Sequence, residues 1–74
     1  MISVKKMGQN CIVGPNVTIH ETAMIGHNCI IEDNVTIGAN AYIDNNTIIR
    51  SNVTIGNNAF IEANCIIGEY QMDF

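Results

Sequence analysis

An aliphatic residue recurs at every sixth position through most of this chain. The series is Val13, Ile19, Ile25, Ile31, Ile37, Ile43, Ile49, Ile55, Ile61 and Ile67, and Met7 extends it toward the N-terminus. Two residues before each aliphatic stands a small or β-branched residue, beginning with Cys11 and ending with Cys65. Residues two apart in a strand share a face, so both columns are predicted to fill one core. A fixed short period is typical of a solenoid.

Asparagine marks the expected corners between these short strands. It stands three residues after most of the aliphatic positions, at Asn10, Asn16, Asn28, Asn34, Asn40, Asn46, Asn52, Asn58 and Asn64. Asparagine tolerates the left-handed backbone conformation and bonds its own backbone, which suits a sharp change of direction. We therefore predict a strand, then a corner, in each six-residue unit.

A second period of 18 residues sorts the hexads into three kinds. VTI begins at residues 17, 35 and 53, while AMI, AYI and AFI begin at 23, 41 and 59. CIV, CII, TII and CII begin at 11, 29, 47 and 65. Three hexads to a coil predict an all-β, triangular solenoid of roughly three and a half coils, stacked as parallel strands. We assign 7–68 to it, 1–6 to a cap or extension, and 69–74 to a tail or the start of further sequence.

Composition narrows the function classes. The chain has 74 residues, of which 47% are apolar and only 5% aromatic, so Ile and Val supply the bulk and favour strands. A net charge of −4 with three cations lacks the basic patch that nucleic-acid binding needs. No apolar run approaches the ~20 residues of a membrane span. Three cysteines without zinc-ligand spacing indicate a reduced, cytoplasmic protein and no metal.

The hexad, an aliphatic followed by Gly or an acid, two variable positions and a small residue, is the hexapeptide-repeat signature. Over residues 7–68 the chain resembles the hexapeptide-repeat acyltransferases. The resemblance implies a left-handed parallel β-helix that moves an acetyl or acyl group from acetyl-CoA or another acyl-CoA to a sugar hydroxyl or amine, with no bound cofactor. The resemblance implies a sugar O- or N-acetyltransferase. Because these enzymes are commonly longer than this chain, we also expect that it could be the N-terminal fragment of one. The alternative is a non-catalytic scaffold or trimerisation module.

One short segment, Ile25-Gly26-His27-Asn28-Cys29, resembles the sequence around the catalytic histidine of several of these enzymes. The resemblance implies that His27 is the general base that takes a proton from the acceptor. A backbone amide, with Gly26 the candidate, would stabilise the oxyanion, and Asp44, one coil beyond Gly26, would orient the ring. Polar residues are also ordinary at corners, so a structural role for His27 stays open.

Outward-facing residues form three ladders, one for each side of the prism. They are Ile12, Ile30, Ile48 and Ile66; Thr18, Thr36 and Thr54; and Met24, Tyr42 and Phe60. A contiguous apolar ladder is typical of an interface, so we predict self-association through the Ile or the Met/Tyr/Phe side. The resemblance implies a homotrimer and a small-molecule sugar acceptor. Glu32 and Arg50, 18 residues apart, are predicted to stack at one corner.

Overall fold

A computed structural model of the chain describes residues 6–68, and these form eleven strands of two residues each. In chain order they are β1 Lys6–Met7, β2 Ile12–Val13, β3 Thr18–Ile19, β4 Met24–Ile25, β5 Ile30–Ile31, β6 Thr36–Ile37, β7 Tyr42–Ile43, β8 Ile48–Ile49, β9 Thr54–Ile55, β10 Phe60–Ile61 and β11 Ile66–Ile67. The predicted cap at 1–6 and tail at 69–74 lie outside the described residues, apart from Lys6, which begins β1.

The strands form three parallel sheets, one on each side of a coil. The aromatic sheet has the order β1-β4-β7-β10, the Ile sheet β2-β5-β8-β11, and the Thr sheet β3-β6-β9. Neighbouring strands pair residues that are 18 apart, as in Ile12 with Ile30 and Thr18 with Thr36. This confirms the predicted all-β parallel solenoid with three hexads per coil. Residues 6–68 contain no helix long and apolar enough to cross a membrane.

Left-handed asparagines make the corners, as the sequence predicts. All nine of the asparagines expected there have a positive φ, between 59° and 67°. Thr22 stands at a corner without asparagine, where the amide of Ala23 donates to the carbonyl of His20 at 3.0 Å. The ring Nδ1 of His20 also accepts a bond from the Thr22 amide at 3.1 Å, so His20 closes its own corner.

The core is most completely formed in the middle coils. Its buried apolar residues are Ala23, Ile25, Cys29, Ile31, Val35, Ile37, Ala41, Ile43, Ile49 and Ile55. These belong to the two predicted inward columns, which confirms the pattern. Val13 departs from it, being 41% exposed although it occupies the aliphatic column. It lies on the first strand of the Ile sheet, where only one neighbouring strand covers it.

Candidate functional site

His27 lies at the corner where the chain leaves the aromatic sheet and enters the Ile sheet. Its side chain is exposed, and its Nδ1 accepts a hydrogen bond of 2.8 Å from the backbone amide of Gln9, one coil earlier. A ring nitrogen that accepts a bond carries no proton, so the neutral imidazole holds its proton on Nε2. The one in-plane lone pair of the ring is therefore used in a bond between coils.

This bond bears on the general-base role that the resemblance implies for His27. A general base must present a lone pair to the proton it removes. Here the lone pair of Nδ1 points to the Gln9 amide, and Nε2 is a donor. To act as a base, the ring would have to give up the bond to Gln9 and change its tautomer.

Both backbone polar groups of Gly26, the candidate oxyanion donor, already have hydrogen-bond partners. Its amide donates to the carbonyl of Ile43 at 2.7 Å, and its carbonyl accepts a bond from Sγ of Cys11 at 3.2 Å. A Cβ at this position would collide with Oδ1 of Asn45 and lie 2.8 Å from its backbone nitrogen. Close approach of two coils is thus sufficient to explain glycine at position 26.

Asp44 lies one coil beyond Gly26, as the 18-residue period requires, but its carboxylate turns to its own corner. Oδ1 accepts a bond of 2.8 Å from the amide of Asn45, and the hydroxyl of Tyr42 lies 3.5 Å away. The residue that reaches His27 is Asn45, whose Oδ1 accepts from the His27 amide at 2.8 Å. The structure places the three predicted residues along one ridge, where Asn45 bonds His27 and Asp44 and lies close to Gly26.

Asn45 and His27 belong to a recurring hydrogen-bond pattern between side chains and backbone amides, which sequence analysis missed. Each occupies the same corner position, 18 residues apart, and each accepts a bond from the amide one coil earlier. Asn57 does the same for the amide of Ala39, at 2.8 Å, on another corner. The available signal was the recurrence of side-chain acceptors at intervals of 18. His27 therefore has a structural task that it shares with asparagine.

A second set of hydrogen bonds lies inside the corner, in the inward column that contains the cysteines. Sγ of Cys29 lies 3.2 Å from the carbonyl of Asp44, and Oγ1 of Thr47 lies 3.2 Å from that of Glu62. Thr47 is fully buried, and this bond satisfies its hydroxyl. The column is thus a series of hydrogen-bond donors as well as small core residues.

Burial makes Cys29 a poor nucleophile. Loss of hydration raises the pKa of its thiol, and the proximity of Cys11 raises it further. A protonated thiol neither attacks an acyl group nor binds a metal readily. Within the described residues, no group of three or more His, Cys, Asp or Glu side chains could hold a metal ion.

Polar and charged side chains meet at the corner that follows the Ile sheet. Nε of Arg50 lies 3.6 Å from Oε1 of Glu32, which confirms that the two predicted partners stack. The amide of Ser51 donates to the same oxygen at 3.0 Å, and its hydroxyl donates to Asp33 at 2.6 Å. Two successive coils are joined here by a charged and hydrogen-bonded cluster.

The outer face of the Ile sheet is apolar, and that of the aromatic sheet is apolar from Met24 to Phe60, with Lys6 on its first strand. On the Ile sheet, Ile12 is 62% and Ile66 is 65% exposed, and the two isoleucines between them are half-buried by their neighbours. On the aromatic sheet, the rings of Tyr42 and Phe60 stack with centroids 5.2 Å apart. On both faces the outward side chains of neighbouring strands stand directly opposite one another.

Comparison with known proteins assigns the chain to a family. Residues 7–72 match the family model described as the GMPPB C-terminal domain, and this range includes all the strands except the first residue of β1. Searches of curated proteins and of solved structures returned no match. The match and the parallel solenoid agree with each other, and the chain belongs to the GMPPB C-terminal domain family of hexapeptide-type, left-handed β-helices.

Proposed function

We propose that this chain is a non-catalytic association module, which joins protein subunits through the outer face of its Ile sheet. The observation that carries the proposal is the ladder of Ile12, Ile30, Ile48 and Ile66, which runs in register across all the strands of that sheet. Burying apolar surface yields about 25 cal/mol per Å², so a partner that covers this row gains free energy. A contiguous patch of this kind is typical of an interaction site.

The chemistry at the His27 corner supports the same function. The Nδ1 of His27, the amide of Gly26 and the carboxylate of Asp44 each already have a partner within the solenoid. These bonds hold neighbouring coils in register, so the corner contributes to a stiff and regular surface. Stiffness reduces the ordering cost of association, because little conformational freedom is left to lose.

Membership of the family also supports an accessory role. The family model describes a C-terminal domain, which is one part of a larger protein, and the type is associated with nucleotidyltransferases. A domain that assembles subunits need carry no reaction centre of its own. Such a module would leave catalysis to another domain or another chain.

The test is self-association measured by sedimentation equilibrium across a wide concentration range. We expect the wild-type chain to associate and Ile30→Lys to shift the equilibrium strongly toward monomer, because a charge would be buried in the interface. Thr36→Lys is the matched control, an outward substitution on the Thr sheet in the same coil, and should associate as the wild type does. A wild-type chain that stays monomeric throughout would exclude the proposal.

Acyl transfer is the second candidate function, and the Gly26-His27-Asn28-Cys29 segment with an exposed His27 side chain supports it. In it, acetyl-CoA or another acyl-CoA would be the donor and His27 the base, in a homotrimer of the kind that the resemblance implies. Thioester turnover with a panel of sugar acceptors tests it. Wild-type turnover that is lost in a folded His27→Ala variant would establish catalysis. If the wild type shows no turnover, acyl transfer is excluded.

The cysteines support the cytoplasm as the compartment in which the chain works. All three are free thiols, and Cys11 and Cys65 are only partly buried. Partly exposed thiols persist in a reducing environment and are readily oxidised outside one. Cell fractionation of a tagged chain would test this placement.

A further inference from the structure

The Ile face and the corner beside it define a specific pairing, which rests on the proposed association function. We infer that two copies pack Ile face to Ile face about a twofold axis parallel to the strands. In this arrangement Ile30 lies opposite the partner's Ile48, and Ile12 lies opposite the partner's Ile66. The occupant of the face is thus a second copy of the same chain.

The spacing of the ladder favours a second copy over an unrelated surface. Successive isoleucines stand one strand apart, about 4.8 Å in a parallel sheet. A row of side chains with the same spacing can interdigitate with this one along its whole length, and an identical chain supplies that row. Sheets that pack face to face lie about 10 Å apart with their strands nearly aligned. The twofold axis along the strands preserves that alignment.

Charge selects this axis. The rotation keeps the corner that follows the Ile sheet on the same side in both copies but reverses the order of the coils. Glu32 then lies opposite the partner's Arg50, and Arg50 opposite the partner's Glu32. Within each copy the same two side chains already approach to 3.6 Å. These four side chains alternate in sign around a square, so each has opposite charges beside it and its like charge only on the diagonal. Asp33, the other acid of this corner, accepts a hydrogen bond from Ser51.

The other symmetric arrangements lack this complementarity. A twofold axis parallel to the long axis of the solenoid would place Arg50 opposite the corner that precedes the partner's Ile sheet. Two acids lie along that corner, Asp44 and, one coil further, Glu62. The carboxylate of Asp44 turns to Asn45 and Tyr42, and Glu32 would face the His27 corner, which carries no Lys or Arg. A threefold ring needs two different surfaces in contact, because its interfaces are heterologous. It would set the Ile face against another side of the prism.

The contact between the two Ile faces is small, so we expect the dimer to be weak. Four strands at about 4.8 Å span only about 14 Å along the ladder. Stable complexes usually bury about 1,200 to 2,000 Å² in total, and smaller contacts are typical of weak or transient association. We therefore expect a dimer that forms at high protein concentration, or when a larger protein brings two copies close together.

Two charge-reversed variants provide the test. Glu32→Arg makes both paired positions of each copy positive, and Arg50→Glu makes both of them negative, while Asp33 keeps its charge in every variant. Each variant alone should dimerise at least about tenfold more weakly than the wild type, since like charges then meet across the axis. An equimolar mixture should recover dimerisation to within about threefold, because every contact between the two different copies is again between opposite charges. The double variant Glu32→Arg/Arg50→Glu should also dimerise.

A second pair controls for net charge. Glu62→Arg and Lys6→Glu give the same net charges as the test variants, −2 and −6, each two units from the wild-type −4. Neither residue borders the Ile sheet on the side of Glu32 and Arg50, so both variants should dimerise as the wild type does, and mixing should add nothing. Circular dichroism establishes that all variants stay folded.

The outcomes separate the two proposals. Failure of the mixture to recover dimerisation, or a wild-type trimer, overturns the twofold pairing and leaves the association function standing. A wild-type chain that remains monomeric at all concentrations overturns both. Recovery in the mixture at low salt, and its weakening at high salt, supports the pairing, since exposed charges are screened over about 10 Å at 0.1 M salt.

Discussion

The backbone amide of Gln9 donates a hydrogen bond of 2.8 Å to Nδ1 of His27, one coil later in the chain. Asn45 receives the same kind of bond from the His27 amide. A histidine in a motif that resembles a catalytic segment therefore performs the structural task of an asparagine. This relationship distinguishes a structural from a catalytic role more directly than the motif does.

Replacement of His27 tests that structural task. We expect His27→Asn to keep the free energy of unfolding within about 0.5 kcal/mol of the wild type, because Oδ1 can accept the Gln9 bond. His27→Ala removes the acceptor and should cost about 1 kcal/mol, the usual net contribution of one hydrogen bond. Denaturant unfolding of the two variants measures the difference. Equal stability of the two would contradict the assigned bond.

The donor role of Thr47 is tested by removing its hydroxyl without changing its shape. Thr47→Val should destabilise the fold by about 1 to 3 kcal/mol, because the carbonyl of Glu62 would lose its partner in the interior. Thr47→Cys restores the residue type found at 29, whose thiol contacts the equivalent carbonyl, and should cost less. The free energy of unfolding should rank wild type, then Cys, then Val. Valine as stable as threonine would refute a donor role.

Asn46 tests the corners, since its φ is 60° and its side chain is exposed. A left-handed backbone costs an ordinary L-residue about 1 to 2 kcal/mol, and a β-branched side chain suffers most. Asn46→Val should therefore destabilise the solenoid by at least that amount, whereas Asn46→Gly should stay within about 1 kcal/mol. Thermal unfolding gives the ranking. A valine variant as stable as the glycine variant would show that the corner does not constrain this residue.

The buried Cys29 thiol makes stability fall at high pH. Burial raises the pKa of this thiol above its ordinary value of 9.0, so the folded chain keeps a proton that the unfolded chain releases. Its contribution is complete below about pH 9 and is lost as the pH rises through the folded pKa. Cys29→Thr should show a shallower decline in the free energy of unfolding above pH 9. Identical slopes would contradict a protonated, buried thiol.

The fold was predictable from sequence because every strand repeats one local pattern. The columns that include Ile25 and Ile43 and the left-handed corners such as Asn46 follow from periods of six and eighteen alone. The pairing of Glu32 with Arg50 followed from the same arithmetic. The bonds of His27 did not, because a period places residues near one another without showing which atoms meet. The corner at Thr22, which lacks asparagine, depends on a histidine whose role no period reveals.

The most direct test of association through the Ile sheet is methyl NMR of a chain labelled at isoleucine, recorded from low to high protein concentration. We expect concentration-dependent shifts for the outward Ile12, Ile30, Ile48 and Ile66 and little change for the buried Ile31 and Ile49. Met24, labelled in parallel on the aromatic sheet, should stay constant. Shifts centred on Met24, or no shifts at any concentration, would contradict association through the Ile sheet.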